Sequence, residues 1–185
     1  MTEKTEAEIA DVGSKEMANF CTAIGELILW ASMIDDQLNK ALIGALALPD
    51  HPMIGPVVAQ LDARQKAELL KKRTKFISNA SWRNGIKNWV ERAEKVNANR
   101  NYVAHHAIRT KAGKIGFHSD QLGKVLDTLK LTDQKIEVSE AKGMKEVTEW
   151  IEHAKKVYVE GANVLDNLDW FRAEATKATA KKAGS

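Results

Sequence analysis

The chain has 185 residues, enough for one domain with a sizeable core, and 44% apolar with 29% charged residues is an ordinary globular composition. Its single cysteine, Cys21, excludes an intramolecular disulfide and a cysteine zinc cluster, and reads as a small buried residue in a reducing compartment. Net charge is +3, yet residues 62–114 hold 14 Lys/Arg against 4 Asp/Glu, so the positive charge gathers in one segment suited to a phosphate-bearing or acidic partner.

Residues 1–16 are polar and acidic, without the apolar run of a signal peptide. No stretch resembles the ~18 uncharged apolar residues that span a bilayer. The expectation is a cytoplasmic protein with no membrane partner. Residues 1–13 suit an N-terminal extension or short helix, with Thr5 and Glu8 as a capping box. A long helix follows. Phe20, Ile24, Leu27, Ala31, Ile34, Leu38, Ala41, Ala45 and Leu48 recur at alternating steps of four and three, and Ile28 and Leu42 widen the stripe. Pro49 and Pro52 stop it.

A further helix is predicted from near Pro56 to Ser78, burying Val57, Leu61, Leu69, Leu70 and Phe76. A break follows at Asn79–Ser81, with Ser81 able to cap the next helix. That helix carries Trp82, Ile86, Trp89, Ala93, Val96, Arg100 and Val103 on one stripe, so an arginine stands where a core residue belongs. Residues 107–118 read as a small hairpin turning at Ala112 and Gly113, which brings His118 beside His106 and Ala107. Residues 120–138 stay ambiguous: Leu122, Val125, Leu126 and Leu129 suit a helical turn, whereas Ile136 and Val138 alternate like a strand. The last helix holds Met144, Val147, Ile151, Ala154, Tyr158, Gly161, Leu165 and Leu168, and residues 173–185 read as a frayed Ala/Lys-rich tail. The expected fold is all-α: an antiparallel bundle of four to five helices, one domain over residues 14–172, with a small β-hairpin inserted after the motif helix.

The segment Arg100-Asn101-Tyr102-Val103-Ala104-His105 resembles the Arg-Asn-x-x-Ala-His signature of HEPN domains, a family of helical-bundle proteins. The stretch ELILWASMIDDQL, Glu26 to Leu38, is similar to that family's long first bundle helix, and the resemblance spans residues 18–172. It implies metal-independent RNA cleavage by a homodimer whose two motifs face each other, with His105 as acid/base group, Arg100 as phosphate clamp and Asn101 as orienting amide. Other members of the family bind a nucleotide or a protein without cleaving anything.

The chemistry of the residues agrees. An RNA strand is cut when its 2′-OH attacks the adjacent phosphate, which needs a proton acceptor, a proton donor and positive charge. Histidine serves either proton role near neutral pH, and arginine grips two phosphate oxygens. On a straight helix Arg100 and His105 lie about 140° apart, so they converge only if the helix loosens near Ala104, the arginine curls round, or two motifs meet across a dimer axis. In the last case Ile86, Trp89 and Val96 share the interface.

A purely structural role stays open: Arg100 paired with Asp35 or Asp36, and His105 bonded to a carbonyl. So does a metal site of His105, His106, His118 and Asp120, although no zinc spacing matches and no metal or cofactor is expected. His51 and His153 read as surface residues. Tyr102, His106, Arg109 and His118 are candidate RNA contacts beside the motif, and Lys71, Lys72, Arg73 and Lys75 extend the basic surface. The expected function is a dimeric endoribonuclease, as in a toxin or defence effector with a protein antitoxin; the alternative is a non-catalytic module for a nucleotide or protein partner.

Overall fold

The computed structural model describes residues 6–49, 51–111, 114–118, 129–132, 135–138 and 142–183. Among them are five helices, α1 (Glu6–Ala45), α2 (Ile54–Ala59), α3 (Ala63–Thr74), α4 (Ala80–His105) and α5 (Met144–Ala183). Two antiparallel hairpins lie between α4 and α5: β1 (Ala107–Lys111) with β2 (Lys114–His118), and β3 (Leu129–Thr132) with β4 (Lys135–Val138). The fold is mainly helical with a small hairpin directly after α4, as the periodicity predicts. The second hairpin resolves part of the ambiguous stretch in favour of the Ile136/Val138 alternation; Leu122, Val125 and Leu126 lie outside the described residues.

The chain divides into two compact units, Met1–Leu29 with Ala98–Glu152, and Trp30–Asn97 with His153–Ser185. The second unit is helical. Ile34, Leu38, Leu42, Leu70, Ile86, Trp89, Val90, Val96 and Val157 are buried in it. Leu27, Phe117, Val103, Val147 and Phe20 are buried in the first unit, where the Phe20 and Phe117 rings lie 5.1 Å apart.

Several boundaries differ from the sequence expectation. No separate N-terminal helix exists, because nothing in residues 6–16 breaks the ladder, and α1 runs unbroken from Glu6. It ends at Ala45, ahead of Pro49, by a Schellman turn: Leu48 N–H donates to Ile43 O at 3.1 Å and Ala47 N–H to Gly44 O at 3.1 Å, with Ala47 at φ 51°. The predicted helix from Pro56 to Ser78 is two helices. Asp62 breaks it by accepting from Gln65 N–H at 2.8 Å while Gln65 Oε1 accepts from Asp62 N–H at 3.0 Å, a reciprocal capping box. Val57 and Phe76, expected in the core, are exposed because each sits at a helix end or beside a break. Asn79, not Ser81, caps α4, accepting from Trp82 N–H at 3.1 Å. The Ala/Lys-rich tail continues α5 to Ala183, in keeping with the high helix propensity of Ala, Lys and Glu. Cys21 and Ile28 are exposed rather than buried, since the buried side of α1 there is held by Phe20 and Leu27.

Lys15–Ala45 of α1 is apolar and long enough, by length and composition, to cross a membrane. A core helix passes the same test, and here Leu27, Ile34, Leu38 and Leu42 are buried in protein.

Three side chains, Lys66, Gln37 and Trp89, make polar contacts inside the second unit. Lys66 is 1% exposed and donates to both oxygens of Asp35, at 2.9 and 2.8 Å. Gln37 Nε2 donates to Tyr158 O at 2.9 Å and Trp89 Nε1 donates to Val157 O at 3.0 Å, both beside Gly161. A Cβ at Gly161 would overlap Gln37 Oε1 and lie 2.7 Å from Gln37 Cδ and 2.8 Å from Trp89 Nε1.

Two predictions follow from these contacts. Gly161→Ala should destabilise the protein by about 1–3 kcal/mol in urea unfolding through overpacking, although alanine is the better helix former by about 1 kcal/mol. A neutral or stabilising result would mean that Gln37 and Trp89 move aside without cost. Asp35→Ala should cost about 3–5 kcal/mol because it strands a buried ammonium. Lys66→Met should cost less, since Asp35, with its side chain 40% exposed, then turns to water. The opposite order in the same measurement would mean that Lys66 reaches solvent by itself.

Candidate functional site

The final turns of α4 carry the Arg100–His105 segment. Through Val96 the stripe behaves as expected, with Ile86, Trp89, Ala93 and Val96 buried inside the protein; none of these is left over for an interface between copies. From Ala98 onward α4 belongs to the first unit, and there Val103 is buried and Tyr102 and His106 are half-buried. Val103 lies one heptad after Val96, within about 20° of it around the axis, and the half-buried His106 lies about 60° to one side of Val103. Arg100, about 60° to the other side, is exposed.

Its guanidinium donates to Asn101 Oδ1 at 3.1 Å. No carboxylate pairs with it among the described residues. The proposed tie to the long helix is made by other cations: Lys66 holds Asp35 and Lys40 holds Asp36 at 2.7 Å. His105 is exposed and is the last helical residue. The helix does not loosen at Ala104, so Arg100 and His105 stay about 140° apart on one chain.

His106 differs from its neighbour. Its Nδ1 donates to Tyr102 O at 2.6 Å, and its ring stacks on the Tyr102 ring at 3.8 Å between centroids and 18° between planes. A carbonyl only accepts, so the proton is on Nδ1. The Lys142 ammonium lies 4.3 Å from the same Tyr102 centroid and 5.1 Å from that of Trp150. Phe117 and Trp150 meet Tyr102 edge-on at 5.8 and 5.7 Å. A base stacking on Tyr102 would have to displace one of these neighbours. Both residues, read from the sequence as RNA contacts, are thus parts of an aromatic cluster that ends α4. Lys142 and Trp150 complete it; neither is a site candidate in the sequence.

Glu146 accepts from Gly143 N–H at 2.8 Å at the start of α5, and that bond holds its carboxyl below the usual range. Burial, then the Glu146 charge, pushes the Tyr102 phenol above its ordinary 10.0. Phe117 N–H donates to Lys142 O at 2.9 Å, tying β2 to the turn before α5.

Of the remaining candidates, Arg109 is exposed on β1, opposite Gly116, and His118 stands opposite Ala107 as expected, with its side chain outside the description. No group of three or more His, Cys, Asp or Glu fit to hold a metal occurs among the described residues. Lys71, Lys72, Arg73 and Lys75 lie in the other unit, on and after the last turn of α3. Lys71 pairs with Glu94, and Arg73 donates to Ala45 O at 2.7 Å with its guanidinium 5.5 Å from the Phe76 ring centroid. Lys72 and Lys75 are exposed without a partner among the described residues. His51 is exposed as expected; His153 is half-buried, and burial followed by the Lys95 charge lowers its pKa from 6.5.

The raised Tyr102 phenol makes a pH test of the cluster. A phenol whose folded pKa exceeds the unfolded 10.0 adds stability that is complete below that pH and is lost as pH rises above it. Ultraviolet titration should show one tyrosine ionising late, and Tyr102→Phe should remove that late phase and flatten the alkaline loss of stability. An unchanged titration in the variant would show that the ring is open to water. No protein-family profile, curated protein or solved structure matches this chain.

Proposed function

We propose that the protein is a HEPN-like, metal-independent endoribonuclease that works as a homodimer, with Arg100, Asn101 and His105 as its site. The observation that carries this reading is the end of α4: a guanidinium and an imidazole, both exposed and neither neutralised by a carboxylate among the described residues, with an amide bonded to the guanidinium. In the reaction an imidazole takes the 2′-OH proton as O2′ bonds to phosphorus. The bond to the 5′-oxygen breaks, and a protonated imidazole supplies the proton to that leaving oxygen. The guanidinium binds the phosphorane oxygens. One chain offers a single His105 turned away from its Arg100, so a second chain bringing its own motif provides both the missing imidazole and the convergence. A cytoplasmic setting and a protein antitoxin belong to the same proposal.

The 140° separation also favours the second reading, a non-catalytic module whose exposed Arg100 and His105 bind a nucleotide phosphate or a protein partner.

Purified protein incubated with mixed RNA in EDTA tests the choice. The first reading expects 2′,3′-cyclic phosphate ends from wild type, a loss of about 10²–10⁴-fold in His105→Ala, and a comparable loss in Arg100→Ala, with dimer retained in sedimentation. Cleavage that persists in both variants refutes the residue assignment. Absence of cleavage by wild type, with nucleotide or partner binding sensitive to Arg100→Ala, supports the second reading.

A further inference from the structure

A cleft of about 450 Å³ opens in the second unit where the end of α3 meets the start of α4. Lys71, Lys72, Lys75, Arg83 and Lys87 line it, against one carboxylate, Glu68. Little of this charge is compensated. Glu68 is taken by Arg64 at 3.3 Å, and Lys71 is taken by Glu94. Lys87 approaches Glu91 only to 4.0 Å, and Arg83 donates to a neutral acceptor, Ile77 O, at 3.0 Å. Lys72 and Lys75 have no partner among the described residues.

The helix dipoles explain half of this arrangement. Lys71, Lys72 and Arg73 sit in the last turn of α3, where the negative end of the macrodipole favours cations. Arg83 sits in the first turn of α4, which holds no acidic residue, and Lys87 one turn further on. In that first turn the dipole end is positive, and a cation is disfavoured. A cation at the wrong end of a helix, with others lining the same cleft, is repelled unless an anion enters.

Phe76 decides which anion. It follows Lys75 directly, is 79% exposed, and has the Arg73 guanidinium 5.5 Å from its ring centroid. An exposed aromatic beside cations stacks an unpaired base, whereas an acidic peptide gains little from it. We propose that this cleft binds single-stranded nucleic acid, with Lys72, Lys75, Arg83 and Lys87 on the phosphates and Phe76 under a base. The inference does not rest on cleavage at the end of α4.

Fluorescence anisotropy of the full chain with a short labelled single-stranded RNA tests it. Substituting Lys72, Lys75 and Lys87 together by alanine should weaken binding at least tenfold and reduce the slope of log affinity against log salt by about 2. Phe76→Ala should weaken it by roughly 5- to 100-fold with an unchanged slope, and Phe76→Trp should retain binding and show quenched indole emission on addition of RNA. All these side chains are exposed or line the cleft, and circular dichroism checks that each variant is folded. Lys15→Ala, exposed on α1 in the other unit, should bind as wild type does, and the readout is affinity, so a failed cleavage assay leaves this result intact. Unchanged affinity and slope in the triple variant overturn the site. So does an equal loss of affinity in Lys15→Ala. A neutral Phe76→Ala, with polyglutamate competing as well as RNA does, overturns the nucleic-acid ligand in favour of an acidic protein.

Discussion

At Gly161 side chains of two other helices of the second unit press on the α5 backbone. Gln37 of α1 and Trp89 of α4 both reach the α5 backbone there, and each donates to a carbonyl of the preceding turn. Any side chain at position 161 would hold both away. The contact fixes more than a distance. An indole N–H must find an acceptor when buried, and this one reaches Val157 O only if α4 is rotated with Trp89 inward. The rotation of α4 follows from a glycine on another helix. With Trp89 set, Ile86, Ala93 and Val96 follow inward by periodicity, and Lys87, Glu91 and Lys95 turn to solvent.

That same rotation explains what was legible in the sequence and what was not. The stripes of α1 and α4 were readable because burial there obeys one helical period. Arg100 leaves the stripe although Val103 keeps it: past Asn97 the half-buried Tyr102 and His106 lie on the side of Val103 away from Arg100. Nothing in a single helix's pattern reports a change of neighbour. The hairpin register was readable, since the sequence sets Ala107 opposite His118 and the strands pair so. The break within residues 56–78 was readable in principle, as Asp62 and Gln65 are spaced for a reciprocal cap. Reading apolar spacing alone hid it. Lys66 buried at Asp35, and Phe76 exposed beside cations, run against residue type and required coordinates.

Charge is handled differently in the interior and on the surface. In the second unit the buried ammonium of Lys66 is satisfied by both oxygens of one carboxylate, the arrangement a buried charge demands. Lys72 and Lys75 of the α3–α4 cleft have no such arrangement among the described residues, and neither has Arg100, which donates to a neutral amide. A chain that neutralises its buried cation and leaves these surface cations open places its unspent electrostatic attraction on the surface, where a polyanion meets it.

The two adjacent histidines illustrate the same division at the scale of single side chains. His106 donates its proton to Tyr102 O and lies flat on the Tyr102 ring, which Lys142, Phe117 and Trp150 hold in turn. Moving that imidazole to a substrate would break a bond, a stack and the end of α4 together. His105 is the last residue before that cap, exposed and outside the cluster. Fixing its neighbour fixes the backbone that carries it. An acid/base group needs a rigid base and a free ring. Of the two imidazoles only His105 has both, and it has them because His106 does not.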